Sequence, residues 1–213
     1  MKKISLYLAT AITLFVFPFQ NFAQSSDNEN KLSIGFKVGA NLSNVYDSKG
    51  EQFQADPKFG LAGGAFLSIP ITTFLGIQPE LLFSQRGFQG SGTILGSTYS
   101  YSKTTNYIDV PILIALKASE NVSFLFGPQY SYLIGQKYEF KSAIINTQQE
   151  EKFNNENIRK NTLCVTGGAD FSFDRLVLGA RVGLDVLNNN GDGTNDTPRY
   201  KNMWYQATIG FRF

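Results

Sequence analysis

Eight charged residues stand inside otherwise apolar or glycine-rich segments, and they are the side chains through which this chain could do chemistry. They carry both signs: Lys37, Glu80, Arg86, Asp109, Asp170, Arg181, Asp185 and Arg212. Paired carboxylates can act as acid, base or nucleophile, as they do in aspartic proteases and glycoside hydrolases. The acids among these eight form no recognisable motif of that kind, so the sequence favours ion pairing over catalysis.

The histidine and cysteine content narrows the chemistry further. The chain has no histidine and one cysteine, Cys164. Serine and cysteine triads need an imidazole as general base, so both are excluded. A redox role for Cys164 would require a second thiol, and the chain has neither a phosphate loop nor a dinucleotide fingerprint. We therefore expect a non-enzymatic protein without a cofactor, in which Cys164 is a small buried residue.

One polar loop resembles the beginning of a calcium-binding loop. Oxygen-bearing side chains stand at alternate positions, with glycine at the sixth: Asn188, Asn190, Asp192, Thr194 and Asp196. The loop departs from the pattern at its first position, which is not Asp, and at its twelfth, where Arg199 replaces Glu. Since Asn, Asp and Gly also dominate ordinary turns, the sequence favours a plain surface loop over a metal site.

The charged residues lie in segments that alternate between apolar and polar positions. Leu178, Ala180, Val182 and Leu184, for example, alternate with Gly179, Arg181, Gly183 and Asp185. Successive side chains of a β-strand point to opposite faces, so this pattern predicts strands with one apolar and one polar face. We predict about eight such strands, at 32–44, 58–68, 74–88, 99–116, 122–137, 160–173, 175–187 and 202–213.

The connections between these strands alternate in length. Long polar connections are expected at 45–57, 89–98, 138–159 and 188–201, and short ones at 69–73, 117–121 and Asp174. Short turns at one end and long loops at the other are typical of outer-membrane barrels. Most of the strands reach the ~9–11 residues that cross a bilayer. Beyond residue 23 no apolar run approaches the ~18 residues of a spanning helix. The sequence therefore predicts an all-β fold: a single-domain, antiparallel, up-and-down transmembrane β-barrel over 32–213.

The N-terminus predicts export. A basic start at Lys2 and Lys3, an apolar stretch from Leu6 to Phe19 and a small residue at Ala23 together indicate a signal peptide over 1–23. A short polar segment, 24–31, follows it. No cysteine near the expected cleavage site could accept a lipid.

Four segments carry a resemblance to a known family. They read GFKVGANLS at 35–43, GIQPELLFSQRG at 76–87, YIDVPIL at 107–113 and GPQY at 127–130. In these segments the chain resembles the PorT-like outer-membrane β-barrel family of Bacteroidetes. The resemblance implies residence in the bacterial outer membrane and a link to protein secretion, although fold alone does not carry function.

The predicted fold gives the eight charges a role. The interior of an eight-stranded barrel is just wide enough for side chains to fill, and charges there must be paired. We expect them to form a charge network that plugs the lumen, and we expect a bulge near Pro111, which lacks a ladder donor. The barrel would then act as a structural or interaction protein through its extracellular loops, as a monomer surrounded by outer-membrane lipid.

Two alternatives stay open. A narrow gated channel for ions or small solutes would use the same charges as its lining. A soluble exported barrel would turn its apolar faces inward around a ligand, although aromatic residues at the ends of those faces favour the membrane: Phe36, Phe59, Phe83, Tyr205 and Phe211. The formal net charge of +2 is spread along the chain and does not indicate a nucleic-acid partner.

Overall fold

The computed structural model describes residues 31–47, 55–94, 97–142, 146–151, 159–189 and 200–213. These residues form nine β-strands: β1 Ser33–Asp47, β2 Asp56–Pro70, β3 Leu75–Ile94, β4 Ser97–Lys117, β5 Val122–Ser142, β6 Asn146–Glu151, β7 Asn161–Phe173, β8 Leu176–Asp185 and β9 Tyr200–Arg212. Within the same ranges no helix is long and apolar enough to cross a membrane. The predicted signal peptide, 1–23, and nearly all of the segment 24–31 lie outside the described residues.

Eight of the strands close into a ring. Each pairs antiparallel with its neighbours in the order β1, β2, β3, β4, β5, β7, β8 and β9, and β9 returns to β1. The closing ladder runs from the Gly35–Arg212 pair to the Asp47–Tyr200 pair. The short β6 pairs with β5 at residues 136–141, beyond Tyr132, where the pairing of β5 with β7 stops. The predicted eight-stranded antiparallel barrel is confirmed.

The alternation of the sequence becomes an apolar exterior and a polar interior. Outward residues of β1 and β2 are well exposed, with Val38 at 64% and Leu61 at 67%. Inward neighbours such as Asn41 are fully buried. We call the ring of outward apolar residues the apolar belt. On β4 the belt consists of Ile108, Val110, Ile112, Ile114 and Leu116.

Three strands continue well past the apolar belt. From Gln85 to Ile94, β3 adds about 30 Å of strand at ~3.3 Å per residue. It pairs there with the start of β4, and β4 pairs with the end of β5. We call this extension, completed by β6, the projecting sheet. The predicted loops at 89–98 and 138–159 were therefore wrong in part, because much of both segments is strand.

On the projecting sheet the polar and apolar faces of the wall are exchanged. Its outward residues are polar, whereas its inward face carries aromatic rings. Tyr99 stacks on Phe140 at 5.9 Å between ring centroids, and Phe88 meets Tyr101 edge-on at 6.4 Å. A polar outer face is what a sheet in water requires, so the reversal marks where the barrel wall leaves the apolar medium.

The predicted bulge near Pro111 was wrong. Pro111 is buried opposite Gln129, and the β4–β5 register there is regular. The register shifts instead between Asn106 and Tyr107 in β4. A second shift lies between Pro57 and Ala62 in β2. The β3–β4 ladder interrupts beside Pro111 and resumes in the same register, because a proline removes a donor without inserting a residue.

Candidate functional site: the charged barrel lumen

The lumen nearer the short turns contains four paired charges, which we call the lower cluster: Lys37, Glu80, Asp170 and Arg181. Lys37 Nζ donates to Glu80 Oε2 at 2.5 Å, and Arg181 Nη2 lies 2.7 Å from Asp170 Oδ1. The two pairs are joined, since Arg181 Nη2 also lies 3.9 Å from Glu80 Oε1. Two cations face two anions, so the lower cluster is neutral.

Gln78 links the two acids of the lower cluster. Its Nε2 donates to Glu80 Oε1 at 2.9 Å and to Asp170 Oδ2 at 3.2 Å. Phe66 is almost fully buried, and Lys37 Nζ lies 5.8 Å from the centroid of its ring. These charges are shielded from water and depend on one another for their stability.

A layer of neutral polar side chains separates the lower cluster from a second group of charges. Asn41 Nδ2 donates to Ser84 Oγ at 2.9 Å, and Gln206 Nε2 donates to Asn41 Oδ1 at 3.0 Å. Above this layer Ser43 Oγ accepts from the backbone N–H of Gly87 at 2.8 Å and donates to its carbonyl oxygen at 2.9 Å. The layer ties β1, β3 and β9 together across the interior.

The second group of charges, the upper cluster, is centred on Arg86 and includes Asp109 and Asp185. Arg86 Nη2 donates to Asp109 Oδ2 at 2.5 Å, and Arg86 Nη1 lies 3.7 Å from Asp185 Oδ1. All three side chains are at most 1% exposed. The upper cluster carries one cation and two anions.

Aromatic rings fix the position of the Arg86 guanidinium. Its central carbon lies 3.5 Å from the Trp204 ring centroid and 4.7 Å from that of Tyr107. Both rings are buried. A guanidinium stacked on a tryptophan in a desolvated site gains cation–π stabilisation of about 2 kcal/mol. Arg86 is therefore held by β4, β8 and β9 as well as by its own strand.

Asp185 is held by a dense set of donors. Its Oδ2 accepts from the backbone N–H of Asn202 at 3.0 Å, from Asn202 Nδ2 at 2.5 Å and from Asn189 Nδ2 at 3.2 Å. The Cys164 thiol lies 3.2 Å from Asp185 Oδ1 and 3.4 Å from Ser131 Oγ. Cys164 is buried and free, as a small lumen residue.

The structure brings together seven of the eight charges that sequence alternation singled out. Arg212 is the exception and does not join the network. It is the last residue of β9, where its Nη2 donates to the carbonyl oxygen of Asp174 in the β7–β8 turn at 3.1 Å. Alternation predicts that Arg212 faces inward, but the residue lies at the rim of the barrel, too far along the strand to reach the other charges.

Sequence reasoning missed the uncharged members of the lumen network. Tyr107, Trp204 and Asn41 stand on the same alternate positions as the charges, so their inward direction could be inferred from the pattern. Their contacts with particular charges could not, because those depend on the stagger between strands that are far apart in sequence.

The candidate calcium loop lies almost wholly outside the described residues. Of its five proposed ligands only Asn188 is described, and its carbonyl oxygen accepts from Arg159 Nε at 2.8 Å. Within the described ranges no three His, Cys, Asp or Glu groups are placed to hold a metal ion. The metal site stays a prediction.

A comparison with known protein families identifies the family to which the chain belongs. A family model described as an outer membrane protein beta-barrel domain matches residues 22–211. The chain belongs to this family. The protein is therefore an integral protein of the outer membrane, and its apolar belt faces lipid.

Several solved structures are similar to this chain at low sequence identity. The attachment invasion locus protein Ail of Yersinia pestis is 14% identical, with a TM-score of 0.48, covering 85% of this chain and 98% of Ail. Neisserial surface protein A is 10% identical, with a TM-score of 0.45, covering 84% and 97%. OprG of Pseudomonas aeruginosa is 12% identical, with a TM-score of 0.38, covering 87% and 97%. No curated protein matches the sequence.

Proposed function

We propose that the outer-membrane barrel is a non-enzymatic structural or interaction protein with a closed lumen, whose contacts are made by the elements beyond the apolar belt. The observation that carries this proposal is the position of Arg86. Its buried guanidinium lies across the interior between Asp109, Asp185 and Trp204. A side chain fixed from several strands at once fills the narrow interior of an eight-stranded barrel.

The projecting sheet supports an interaction role. Among the described strands β6 pairs only with β5, and β3 beyond Gln89 pairs only with β4. Strand edges of this kind can accept an extended segment of another protein. The β3–β4 pairing extends to Ile94 and Ser97, so this surface lies beyond the apolar belt.

The partner we propose is a component of protein-secretion machinery. This follows the resemblance of the four segments at 35–43, 76–87, 107–113 and 127–130 to the PorT-like family of Bacteroidetes. It is a proposal about the partner alone and does not affect the assignment of the fold.

Site-specific photo-cross-linking in whole cells tests the interaction role. A photoreactive phenylalanine at Thr93, exposed on the projecting sheet, is expected to form a protease-sensitive adduct of higher mass. The matched control is Thr72, exposed in the short β2–β3 turn at the opposite end, where no such adduct is expected. If Thr93, Thr98 and Tyr138 all fail to form adducts, the interaction role of the projecting sheet is wrong.

One observation favours a narrow gated channel as the second candidate. Charged and polar side chains follow one another along the lumen from Lys37 to Asp185, as the lining of an ion pathway would. A channel would give discrete currents in a planar bilayer. Those currents would change when Asp109 or Arg181 is neutralised.

A further inference from the structure

Four aromatic residues form a continuous surface on the inward side of the projecting sheet. We call this surface the aromatic face, and it consists of Tyr99, Tyr101, Tyr138 and Phe140. Tyr101 pairs with Phe140 across β4 and β5. Tyr99 lies beside Phe140, with 5.9 Å between ring centroids and 22° between ring planes. The four rings lie beyond the apolar belt, so they meet water rather than lipid.

Two glycines of β3 allow the tyrosine rings to lie flat on the sheet. Gly92 is paired with Tyr99, and a Cβ built on Gly92 would lie 2.5 Å from the Tyr99 hydroxyl oxygen and 2.6 Å from its Cζ. Gly90 is paired with Tyr101, and its Cβ would lie 2.5 Å from the hydroxyl oxygen and from Cζ of that ring. Each ring therefore reaches over β3, with one face on the glycine backbone and the other face turned to the interior.

The aromatic face is accessible, and hydroxyl groups lie beside its rings. Tyr138 is 42% exposed, and the other three residues are half-buried. Burial raises the pKa of Tyr101, and the nearby phenol groups of Tyr99 and Tyr138 raise it further. The three phenol groups are therefore close to one another. Each can donate and accept a hydrogen bond, so the face combines apolar ring surface with polar groups at its border.

The aromatic face carries no charge of its own. Among the described inward side chains of β3, β4 and β5 at the height of Phe88 and above, the one charged group is Lys103. Its Nζ donates to the Tyr200 hydroxyl at 2.9 Å, and Phe88 meets the Tyr200 ring edge-on at 5.6 Å. These contacts join β3 and β4 to β9 across the interior and form a floor beneath the aromatic face. The ligand that suits the face is therefore uncharged.

We propose that the aromatic face binds an uncharged oligosaccharide, whose pyranose rings stack on Tyr99 and Phe140. The C–H groups on the face of a pyranose carry partial positive charge, and the face of an aromatic ring is negative, so the two attract each other. Hydroxyl groups at the edge of the sugar meet the phenol groups of Tyr101 and Tyr138. Tyr99 and Tyr101 are two residues apart on β4, about 6.6 Å at ~3.3 Å per residue, so successive sugar units contact successive rings. This binding does not depend on the proposed interaction role.

The paired backbone of this wall favours a saccharide over a peptide. An extended peptide needs partners for its backbone N–H and C=O groups, which a strand edge supplies. Beneath the rings β4 is paired on both sides, with β3 and with β5, so its backbone groups are already engaged. The aromatic face therefore offers a ligand side chains alone. A saccharide, which combines a C–H face with hydroxyl groups, can be held by side chains of this kind.

Isothermal titration calorimetry of the refolded mature barrel in detergent tests the proposal. The probes are the linear hexasaccharides of glucose, mannose and N-acetylglucosamine, with hexaproline as the peptide probe. We expect at least one hexasaccharide to bind. Y99L/F140L keeps apolar side chains but removes both ring faces, and it should weaken that binding roughly tenfold. Gly92→Ala lifts the Tyr99 ring without removing it, and it should weaken the binding roughly threefold.

The matched control Y46L/F59L replaces one tyrosine and one phenylalanine that are exposed on the outer wall. We expect it to bind the same hexasaccharide within roughly twofold of the unmodified barrel. Equal losses in the two double variants would overturn the proposal, as would hexaproline binding as tight as that of the best hexasaccharide. It is equally overturned if none of the three hexasaccharides binds, or if Gly92→Ala leaves the affinity unchanged. Heat-modifiable mobility of each variant on gels confirms that it is folded.

Discussion

Arg86 is the residue on which the upper lumen depends, because it is the single cation of the upper cluster and is wholly buried. Its guanidinium stacks on the Trp204 ring and donates from Nη2 to Asp109. Neither Trp204 nor Asp109 is near it in sequence. The fold of the whole ring is therefore needed to make this contact.

Asp109→Ala is expected to destabilise the barrel by about 3–5 kcal/mol, because it leaves Arg86 in a buried site without its closest carboxylate. The measurement is urea unfolding in lipid vesicles, followed by the fluorescence of Trp204, the only tryptophan of the chain. The triple variant R86M/D109L/D185N should recover part of the loss, because it leaves no charge buried in the upper cluster. Glu139→Gln, which weakens a pair outside the lumen, should leave the unfolding midpoint almost unchanged.

Gly87→Ala is expected to cost about 1–3 kcal/mol, since Gly87 has a φ of +154° and a Cβ there would collide with the carbonyl oxygen of Lys103. The same substitution would disturb the two hydrogen bonds to Ser43. Gly135→Ala is the matched control, because the nearest atom to its added Cβ is Asn106 Nδ2 at 3.9 Å. Equal unfolding midpoints for the two variants would contradict the strain assigned to Gly87.

At the scale of the element, β4 shows how one strand serves two environments. Its outward residues are apolar from Ile108 to Leu116 and polar from Ser100 to Asn106. Its inward residues change from Asp109 and Tyr107 in the lumen to Tyr101 and Tyr99 on the projecting sheet. The boundary near Asn106 is also where the β4–β5 register shifts, and a bulge increases the local twist of the wall.

Ile112→Arg and Thr98→Arg place the same charge on the same outward face of β4, within and beyond the apolar belt. We expect Ile112→Arg to destabilise the barrel by about 2–4 kcal/mol, because the guanidinium enters the lipid-facing band. Thr98→Arg, on the projecting sheet, should change stability by about 0.5 kcal/mol or less. Unfolding in lipid vesicles measures both. A comparable loss from Thr98→Arg would show that the projecting sheet lies in lipid.

The membrane-spanning parts of the strands were predictable from sequence, whereas the projecting sheet was not. Alternation around Arg181 and Asp109 is a strong signal because one face meets lipid and the other is enclosed. From Gln89 to Ser102, serine, glycine and tyrosine replace that contrast, since both faces lie outside the bilayer. Composition then indicates a loop, although residues 89–94 and 97–102 are paired strands. The bulge predicted near Pro111 was wrong for a related reason. The residue types along one strand do not reveal where its pairing with a neighbouring strand shifts register.

For the candidate site, the sequence predicted which side chains face the lumen. It did not predict which of them pair with one another. Alternation places Lys37, Glu80 and Arg181 on inward faces, and the structure places them there. That Lys37 meets Glu80 follows from the register of β1, β2 and β3, which no local pattern encodes. For Arg212 the predicted inward face was right. The residue nevertheless lies at the rim of the barrel, beyond the charge network.

At the scale of the whole molecule, the ring of eight strands closes every edge within the belt, so the backbone is satisfied in a medium without water. We expect the refolded mature chain to migrate as a compact, SDS-resistant band that shifts on boiling, with a β-rich circular dichroism spectrum. A chain that stays soluble and monomeric without detergent would contradict the lipid-facing role of the belt.

Planar-bilayer recording tests the closed lumen most directly. We expect the refolded barrel to give no discrete current steps, because Arg86, Asp109, Asp185 and the lower cluster occupy the interior as paired, buried side chains. The protein is delivered by fusion of lipid vesicles, in which its folded state is first verified by heat-modifiable mobility on gels. Discrete steps whose size changes in the Asp109→Asn and Arg181→Gln variants would contradict the closed lumen and establish the channel instead.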